Sequence, residues 1–139
     1  MPPKKTLIYQ AKVFTVNHLG IKSSQFKKYI GLTTTEFKTR YGTYKNSFKH
    51  IKRRHSTVLA NYIWSLKKND IDFCIEWDFV DFGTTYRGGR TRCDLCDKEK
   101  HQILMMDPRQ AINKRRECFK RCIHKNNFLL SQFYPPDKD

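Results

Sequence analysis

The alternation of apolar and polar positions predicts three β-strands. Residues 7–16 and 26–32 are rich in β-branched and aromatic residues, and residues 17–20 between them are typical of a turn. They predict an antiparallel hairpin with a long connection. Residues 72–82 switch to strict alternation, which predicts a half-buried third strand. Its apolar face would carry Phe73, Ile75, Trp77 and Phe79.

Helical periodicity appears in two segments between the second and third predicted strands. Their apolar stripes are Phe37, Tyr41, Tyr44 and Phe48 in the first helix, and Leu59, Tyr62, Ile63 and Leu66 in the second. Thr34 and Thr35 are favourable N-cap residues for the first helix. Ser56 is one for the second helix, which should end at Asn69. The basic residues 49–55 separate the two helices.

The C-terminal third predicts a basic loop and two further helices. Residues 86–92 read as a flexible loop, and residues 94–106 and 109–122 as helices that Asp107 and Pro108 separate. The order ββααβαα indicates an α+β fold, a small three-stranded antiparallel sheet flanked by helices. We expect a single domain over residues 1–139 with its core at about 7–125 and with loose ends at 1–5 and 135–139.

Charge favours a polyanionic partner. The chain has 28 basic and 13 acidic residues, a formal net charge of +15, so its folded surface must attract nucleic acid. DNA is the expected partner, although charge does not exclude RNA. No apolar run approaches the roughly 20 residues that cross a bilayer, and no signal peptide is visible. The composition thus indicates an intracellular protein, nuclear or cytoplasmic, of undefined oligomeric state.

Basic residues cluster in three places that could contact phosphates. They are Lys49, Lys52, Arg53 and Arg54 after the first helix, Arg87, Arg90 and Arg92 in the loop, and Lys114 and Arg115. Gly88 and Gly89 would let the loop follow a nucleic-acid backbone. The alternative is that such runs are ordinary solvated surfaces.

Glu99 falls on an apolar stripe. Leu95, Glu99, Ile103 and Met106 share one face of their predicted helix, so the carboxylate projects along that face rather than toward water. A charge in this position needs a partner, and a divalent cation is an adequate one. The alternative is that the helix is slightly rotated and Glu99 pairs with a lysine at the rim.

Cysteine spacing predicts a zinc site. Cys93 and Cys96 have Cys-x-x-Cys spacing, and Cys118, Cys122 and His124 form a second cluster. The second pair of ligands could be Cys118 with Cys122, which are one helical turn apart, or Cys122 with His124. The alternative is that Cys118 and Cys122 are small buried apolar residues.

The order of several residues resembles the GIY-YIG nuclease superfamily over about residues 7–116. Tyr29, Ile30 and Gly31 look like its second tyrosine motif, and Tyr9 like the tyrosine of the first. The remaining matches are Arg40 to the catalytic arginine, Tyr44 to the residue one turn later, Glu99 to the metal-binding glutamate and Asn113 to the closing asparagine. Leu7 stands where the family has glycine, and the wide spacing of the two tyrosines implies an enlarged hairpin turn.

This resemblance implies a metal-dependent DNA endonuclease, such as the nuclease module of a mobile element. Mg²⁺ or Mn²⁺ on Glu99 would neutralise charge on the phosphate, and Arg40 would hold phosphoryl oxygens. Tyr9 would deprotonate the attacking water, which requires that the cation and Tyr29 or backbone donors lower its pKa from about 10. Tyr44 would orient water or phosphate, and Gly31 would let the backbone approach the active surface.

A looser resemblance to the nucleases of Penelope-like retroelements implies which residues bind zinc. The implied ligands are Cys93, Cys96, Cys122 and His124, with Cys118 as the alternative.

Two other assignments compete with the main resemblance: residues 20–22 as a first motif, and Glu76 as the metal ligand. The competing functions are a noncatalytic zinc-stabilised nucleic-acid-binding module and a ribosomal-type RNA-binding protein.

Overall fold

As far as Met105, the strands and helices follow one another in the order that the sequence predicts. A computed structural model describes residues 6–83, 93–114 and 117. Its elements are β1 (Leu7–Val16), β2 (Lys22–Thr33), α1 (Phe37–Lys49), a 3₁₀ turn (Ile51–Arg53), α2 (Val58–Lys68), β3 (Asp72–Phe82) and α3 (Asp94–Met105). The three strands form one antiparallel sheet in the order β2-β1-β3. The predicted α+β class is therefore confirmed.

The hairpin of β1 and β2 is tighter than the sequence predicts. Pairing continues from Leu7 opposite Thr33 to Val16 opposite Lys22, so the wide spacing of the tyrosines is taken up by long strands. The connection is a short turn in which the Asn17 side chain accepts hydrogen bonds from two backbone N–H groups. Gly20 has a φ of +79°, a conformation that favours glycine. The expected long connection and enlarged turn are wrong.

A β-bulge interrupts β3 beside Val80. Tyr9 pairs with Phe79, whereas Ile8 pairs with Asp81, so Val80 is an extra residue in β3. Phe82, the partner of Leu7, therefore lies on the same face of the sheet as Phe79. Phe79 lies on the predicted apolar face, but it is exposed.

Helices cover both faces of the sheet. On one face, α1 and α2 bury the first core cluster, which comprises Tyr9, Ala11, Val13, Tyr29, Tyr44, Leu59, Ile63, Leu66 and Ile112. On the other face, α3 buries Ile8 and Ile30 against Leu95, Ile103 and Met106. Each fully buried leucine or isoleucine contributes about 1.5–3 kcal/mol, so these two layers hold β1 at the centre of the molecule.

The helix starts differ slightly from those predicted. Glu36 is the N-cap of α1 and makes no side-chain cap hydrogen bond. Thr35 instead donates its N–H to the Thr33 hydroxyl in the turn before the helix. Thr57 caps α2, since its hydroxyl accepts from the N–H of Ala60. The predicted caps Thr34, Thr35 and Ser56 are therefore wrong, because the helices begin one or two residues later.

Residues 109–114 are not helical, contrary to the predicted helix over 109–122. Asp107 accepts the N–H of Gln110 in a turn, and the chain then runs along the outer edge of β2. Lys28 donates its N–H to the Gln110 carbonyl and accepts the N–H of Ile112. These bonds satisfy the edge of β2, which a helix starting at Arg109 would leave open.

Several predictions lie outside the described residues. They are the basic loop with Arg87, Arg90 and Arg92, the residues Arg115, Cys118, Cys122 and His124, and both chain ends. Across residues 6–83 and 93–114, none of the helices has the length and apolar character needed to traverse a bilayer.

Candidate active site

Three phenols and one guanidinium meet where β1, β2 and α1 pack together. The hydroxyl oxygens of Tyr9 and Tyr44 are 2.6 Å apart, and the Tyr44 hydroxyl donates to the Tyr29 hydroxyl at 3.3 Å. Arg40 donates from Nε to Tyr9 and from Nη2 to Tyr44, each at 3.3 Å. The structure thus brings together four of the residues that the resemblance assigns. We call these four residues the phenol cluster.

The hydrogen bonds of the phenol cluster run in one direction. A hydroxyl group has a single proton to donate, and that of Tyr44 goes to Tyr29. Tyr9 must therefore donate to Tyr44 while it accepts from Arg40. The Tyr29 hydroxyl accepts from Tyr44 and stands at the end of this chain of hydrogen bonds.

All three phenols are held in the neutral form. Burial is the main cause that raises the pKa of Tyr9, and the neighbouring Tyr44 raises it further, although Arg40 acts in the opposite direction. Burial and a phenol neighbour likewise raise the pKa values of Tyr29 and Tyr44. Burial and Tyr44 thus raise the pKa of Tyr9, whereas the deprotonation of water by Tyr9 requires a lowered pKa.

Arg40 holds its charge beside the phenols. Partial burial alone would lower its pKa, but the phenolic oxygens of Tyr44 and Tyr9 outweigh this and raise it. Its guanidinium carbon lies 4.7 Å from the centre of the Tyr44 ring, within the range of a cation–π contact. Because Arg40 is half-buried, part of the guanidinium remains accessible for an anion.

Gly31 makes room for the Tyr9 ring. The two residues are opposite each other in the β1–β2 ladder. A Cβ at position 31 would lie 2.5 Å from both Cζ and the hydroxyl oxygen of Tyr9, closer than a Cβ approaches other atoms in proteins. The close packing of the Tyr9 ring on the strand backbone therefore requires glycine at position 31. The resemblance likewise implies a glycine here that lets the backbone approach the active surface.

Asn113 is bound to the backbone of β2. Its Oδ1 accepts the N–H of Ile30 at 2.7 Å, and its Nδ2 donates to the Ile30 carbonyl at 2.9 Å. The side-chain amide of Asn113 therefore pairs with the β2 edge beside Tyr29 in the way that the backbone of a neighbouring strand would. This geometry makes Asn113 a residue that positions Tyr29.

Two carboxylates act electrostatically on Tyr29. Burial and Tyr9 are larger causes, but the negative charges of Glu117 and Glu99 also raise the pKa of Tyr29. Glu99 is half-buried on α3, between the buried Leu95 and Ile103, as its place on the apolar stripe predicts. Sequence reasoning missed Glu117, whose Oε1 lies 3.4 Å from Nδ2 of Asn113. Its position four residues after Asn113 was the only signal available.

The described residues include no ready-made metal cage. Within residues 6–83, 93–114 and 117, no group of three or more His, Cys, Asp or Glu side chains could hold a metal ion. Mg²⁺, however, is usually bound through one or two carboxylates, waters and substrate phosphate. Glu99 and Glu117, which both raise the pKa of Tyr29, are carboxylates of the type that such an incomplete site uses.

The rival ligand Glu76 lies away from the cluster. It pairs with Lys22 at 2.5 Å, and both side chains are about half exposed. Trp77 packs with the first core cluster, so the adjacent Glu76 points to the opposite face of β3. This agrees with its interpretation as an ordinary surface carboxylate.

Of the predicted zinc ligands, the structure describes Cys93 and Cys96. Cys93 is the residue before α3 and is buried in the second core cluster, against which Cys96 also packs. The other candidates, Cys118, Cys122 and His124, are outside the described residues, so the zinc site stays a prediction.

The basic run after α1 is fully on the surface. Lys49, Lys52, Arg53 and Arg54 are exposed, and so is Lys114. Arg54 bonds to the carbonyl of Ile51 through one guanidinium nitrogen, at 3.0 Å. These side chains are accessible to a phosphate backbone.

Comparisons of this chain with protein-family models, curated proteins and solved structures gave no match.

Proposed function

We propose that this protein is a divalent-metal-dependent DNA endonuclease of the GIY-YIG type, which hydrolyses phosphodiester bonds. The observation that carries the proposal is the phenol cluster, in which two strands and a helix bring three hydroxyls and a guanidinium within hydrogen-bonding distance. The same residues, in the same order, support the resemblance to that superfamily. A net charge of +15 supplies the attraction for DNA.

Arg40 is the anion-binding group in this proposal. Its guanidinium is charged and half-exposed, and it can hold two phosphoryl oxygens through parallel N–H bonds. Stabilising the charge that develops on a phosphate in this way is commonly the largest contribution to catalysis. Lys49, Lys52, Arg53 and Arg54 would bind the flanking DNA backbone.

Glu99, together with Glu117, would hold the Mg²⁺ or Mn²⁺ ion. When bound, such an ion neutralises negative charge on the phosphate and on the leaving oxygen. Tyr9 is neutral in the phenol cluster, so it can accept a proton from water only after its own proton has moved away. The hydrogen bonds from Tyr9 to Tyr44 and from Tyr44 to Tyr29 provide that route, and the proton that Tyr29 gives up would pass to a carboxylate oxygen of Glu117. Asn113 and Gly31 position Tyr29 and Tyr9.

The test is nicking of supercoiled plasmid with Mg²⁺ or Mn²⁺ against the same reaction with chelator. Arg40→Ala and Glu99→Gln should each lose activity by about 100-fold or more, as expected for the loss of a group that stabilises the transition state. Lys68→Ala and Glu76→Gln are matched controls on the surface, outside the residues that would bind DNA, and should retain most activity. Wild-type protein that nicks no better than the first two variants would refute the endonuclease.

A second candidate is a noncatalytic, zinc-stabilised nucleic-acid-binding module. The observation in its favour is that the three phenols are neutral and satisfy one another, as a purely structural polar cluster does.

In both candidates we propose a structural zinc on Cys93, Cys96, Cys122 and His124, with Cys118 as the alternative ligand. Metal analysis should find about one zinc per chain, and a folded zinc-free protein would exclude this site.

A further inference from the structure

Two phenylalanines form an exposed aromatic surface at one end of the sheet. Phe79 is 56% exposed and Phe82 is 64% exposed, and their ring centroids are 4.5 Å apart. We call this pair the aromatic shelf. Large aromatic side chains usually bury most of their area, so an exposed pair in contact with each other is typical of a binding surface.

The bulge at Val80 creates the aromatic shelf. In a regular strand, residues 79 and 82 would point to opposite faces. The extra residue brings both rings to the face that carries Tyr9, because Phe79 pairs with Tyr9 and Phe82 pairs with Leu7. Bulges often redirect side chains in this way next to functional sites.

A small apolar cavity opens beside the shelf. Its volume is about 210 Å³, and its lining is Leu7, Tyr9, Phe37, Trp77, Asp78 and Phe79. This is smaller than the roughly 300–1,000 Å³ of pockets that hold drug-sized ligands, and it suits a single planar ring system. Trp77 and Phe79 face the cavity, so the carboxylate of Asp78 between them points to the opposite face of β3 and the cavity wall is apolar.

The cavity and the anion-binding group share the Tyr9 side chain. The Tyr9 ring lines the cavity, while its hydroxyl accepts a hydrogen bond from Nε of Arg40. Phe37, another lining residue, lies one helical turn before Arg40 on α1. A ligand that places an anion on Arg40 and a flat ring in the cavity would therefore need to span little more than one phenol ring.

We propose that the aromatic shelf and this cavity bind an unpaired base of a DNA strand, next to the phosphate that Arg40 holds. A nucleotide joins an anion to a flat aromatic ring over a short distance, and the net charge of +15 favours it over an uncharged apolar partner. Phe79 and Phe82 would stack on the base. This inference rests on the proposed function and specifies its substrate: DNA with an unpaired nucleotide at the cleavage site.

The first test measures DNA affinity rather than cleavage. Binding of a fluorescent single-stranded oligonucleotide and of a fully paired duplex is compared for wild type, Phe79→Ala and Phe82→Ala, without divalent metal and at fixed salt. Each variant should bind the single strand about fivefold or more weakly, the effect of losing one stacked base, and the duplex within about twofold of wild type. Leu19→Ala removes an equally exposed apolar side chain from the hairpin turn at the opposite end of the sheet and should change neither affinity.

A second readout separates stacking from general loss of structure. A 2-aminopurine in the single strand should lose fluorescence on binding to wild type and recover it in Phe79→Ala, whereas Phe79→Trp should restore the quenching. Equal loss of affinity for single strand and duplex, or no loss for either, would overturn the inference. So would a chain that binds no DNA, and that result would remove the endonuclease as well. Shelf-dependent binding without nicking would leave the inference standing and refute only the endonuclease.

Discussion

At the scale of single residues, the site is a set of polar atoms that satisfy one another in an aromatic environment. Tyr9 and Tyr44 are almost completely buried, and the rings of Phe37, Phe48 and Trp77 pack around them. A buried hydroxyl without a partner costs about 1–3 kcal/mol, which each phenol avoids by bonding to another. The same arrangement leaves Arg40, which is half-buried, as the member of the phenol cluster that can bind an anion.

Gly31→Ala adds a single methyl group, but it should disturb the hydrogen bonds of the phenol cluster. The new methyl group would lie 2.5 Å from the Tyr9 hydroxyl, so the Tyr9 ring would have to move away from Tyr44 and Arg40. We expect a loss of about 1–3 kcal/mol in the free energy of unfolding, typical of overpacking, measured by urea denaturation.

Gly42→Ala is the matched control for this substitution. Gly42 lies within α1, and a Cβ there would meet no atom within 4 Å. Alanine stabilises a helix interior by about 0.5–1 kcal/mol relative to glycine, so this variant should become more stable. Equal effects of the two substitutions would contradict the proposed packing of Tyr9 on Gly31.

At the scale of elements, the outer edge of β2 controls the position of Tyr29. The segment 110–113 pairs with this edge through Lys28 and then through the Asn113 side chain. An edge strand with open hydrogen-bonding groups is free to twist or to pair with another chain. The segment thus fixes the strand that carries the second tyrosine.

Asn113→Ala should loosen this edge. Ile30 would lose its side-chain acceptor and donor together, at a cost of about 1–3 kcal/mol in the free energy of unfolding. Hydrogen exchange of the Ile30 amide, followed by NMR, should accelerate, and plasmid nicking should fall. Asn113→Asp should be no better, because it keeps the acceptor but loses the donor to the Ile30 carbonyl.

Asn61→Ala is the control for the edge variants. Asn61 is exposed on α2, and alanine is the better helix former, so stability should stay the same or rise slightly. Unchanged exchange at Ile30 in Asn113→Ala would show that the side-chain hydrogen bonds do not hold the edge.

Much of the element order could be predicted because each strand and helix carries its own local pattern. The alternation in β3 and the stripe of Leu59, Ile63 and Leu66 in α2 depend only on neighbouring residues. The helix predicted over 109–122 is wrong at residues 109–114 because their structure depends on Lys28, which is distant in sequence. The bulge at Val80 and the contact of Glu117 with Asn113 likewise have no local signal.

At the scale of the whole molecule, a central strand joins the two hydrophobic layers to the site. Ile8 faces α3, and Tyr9, the next residue on β1, faces α1. Unfolding either layer would therefore release Tyr9. Conditions that ionise the phenols should therefore disrupt the phenol cluster and lower the stability of the whole molecule together.

Alkaline pH provides such a condition. The pKa values of Tyr9, Tyr29 and Tyr44 are raised in the folded protein above the value of about 10 in the unfolded chain, first of all by burial. The stabilisation from these neutral phenols is complete below about pH 10 and is lost as the pH rises further, because unfolding then releases protons. Each phenol should reduce the free energy of unfolding by about 1.4 kcal/mol per pH unit in that range.

Urea denaturation between about pH 8 and about pH 12, with phenolate absorbance recorded in parallel, measures this loss. The three buried phenols should ionise only as the protein unfolds. Tyr44→Phe should show a shallower decline, because one titrating group is absent, whereas Tyr41→Phe, which removes a more exposed hydroxyl, should follow the wild-type curve. Ionisation of the phenol cluster in protein that is still folded would mean that Arg40 offsets the burial of the phenols, and Tyr9 could then act as a base without passing its proton to Tyr44 and Tyr29.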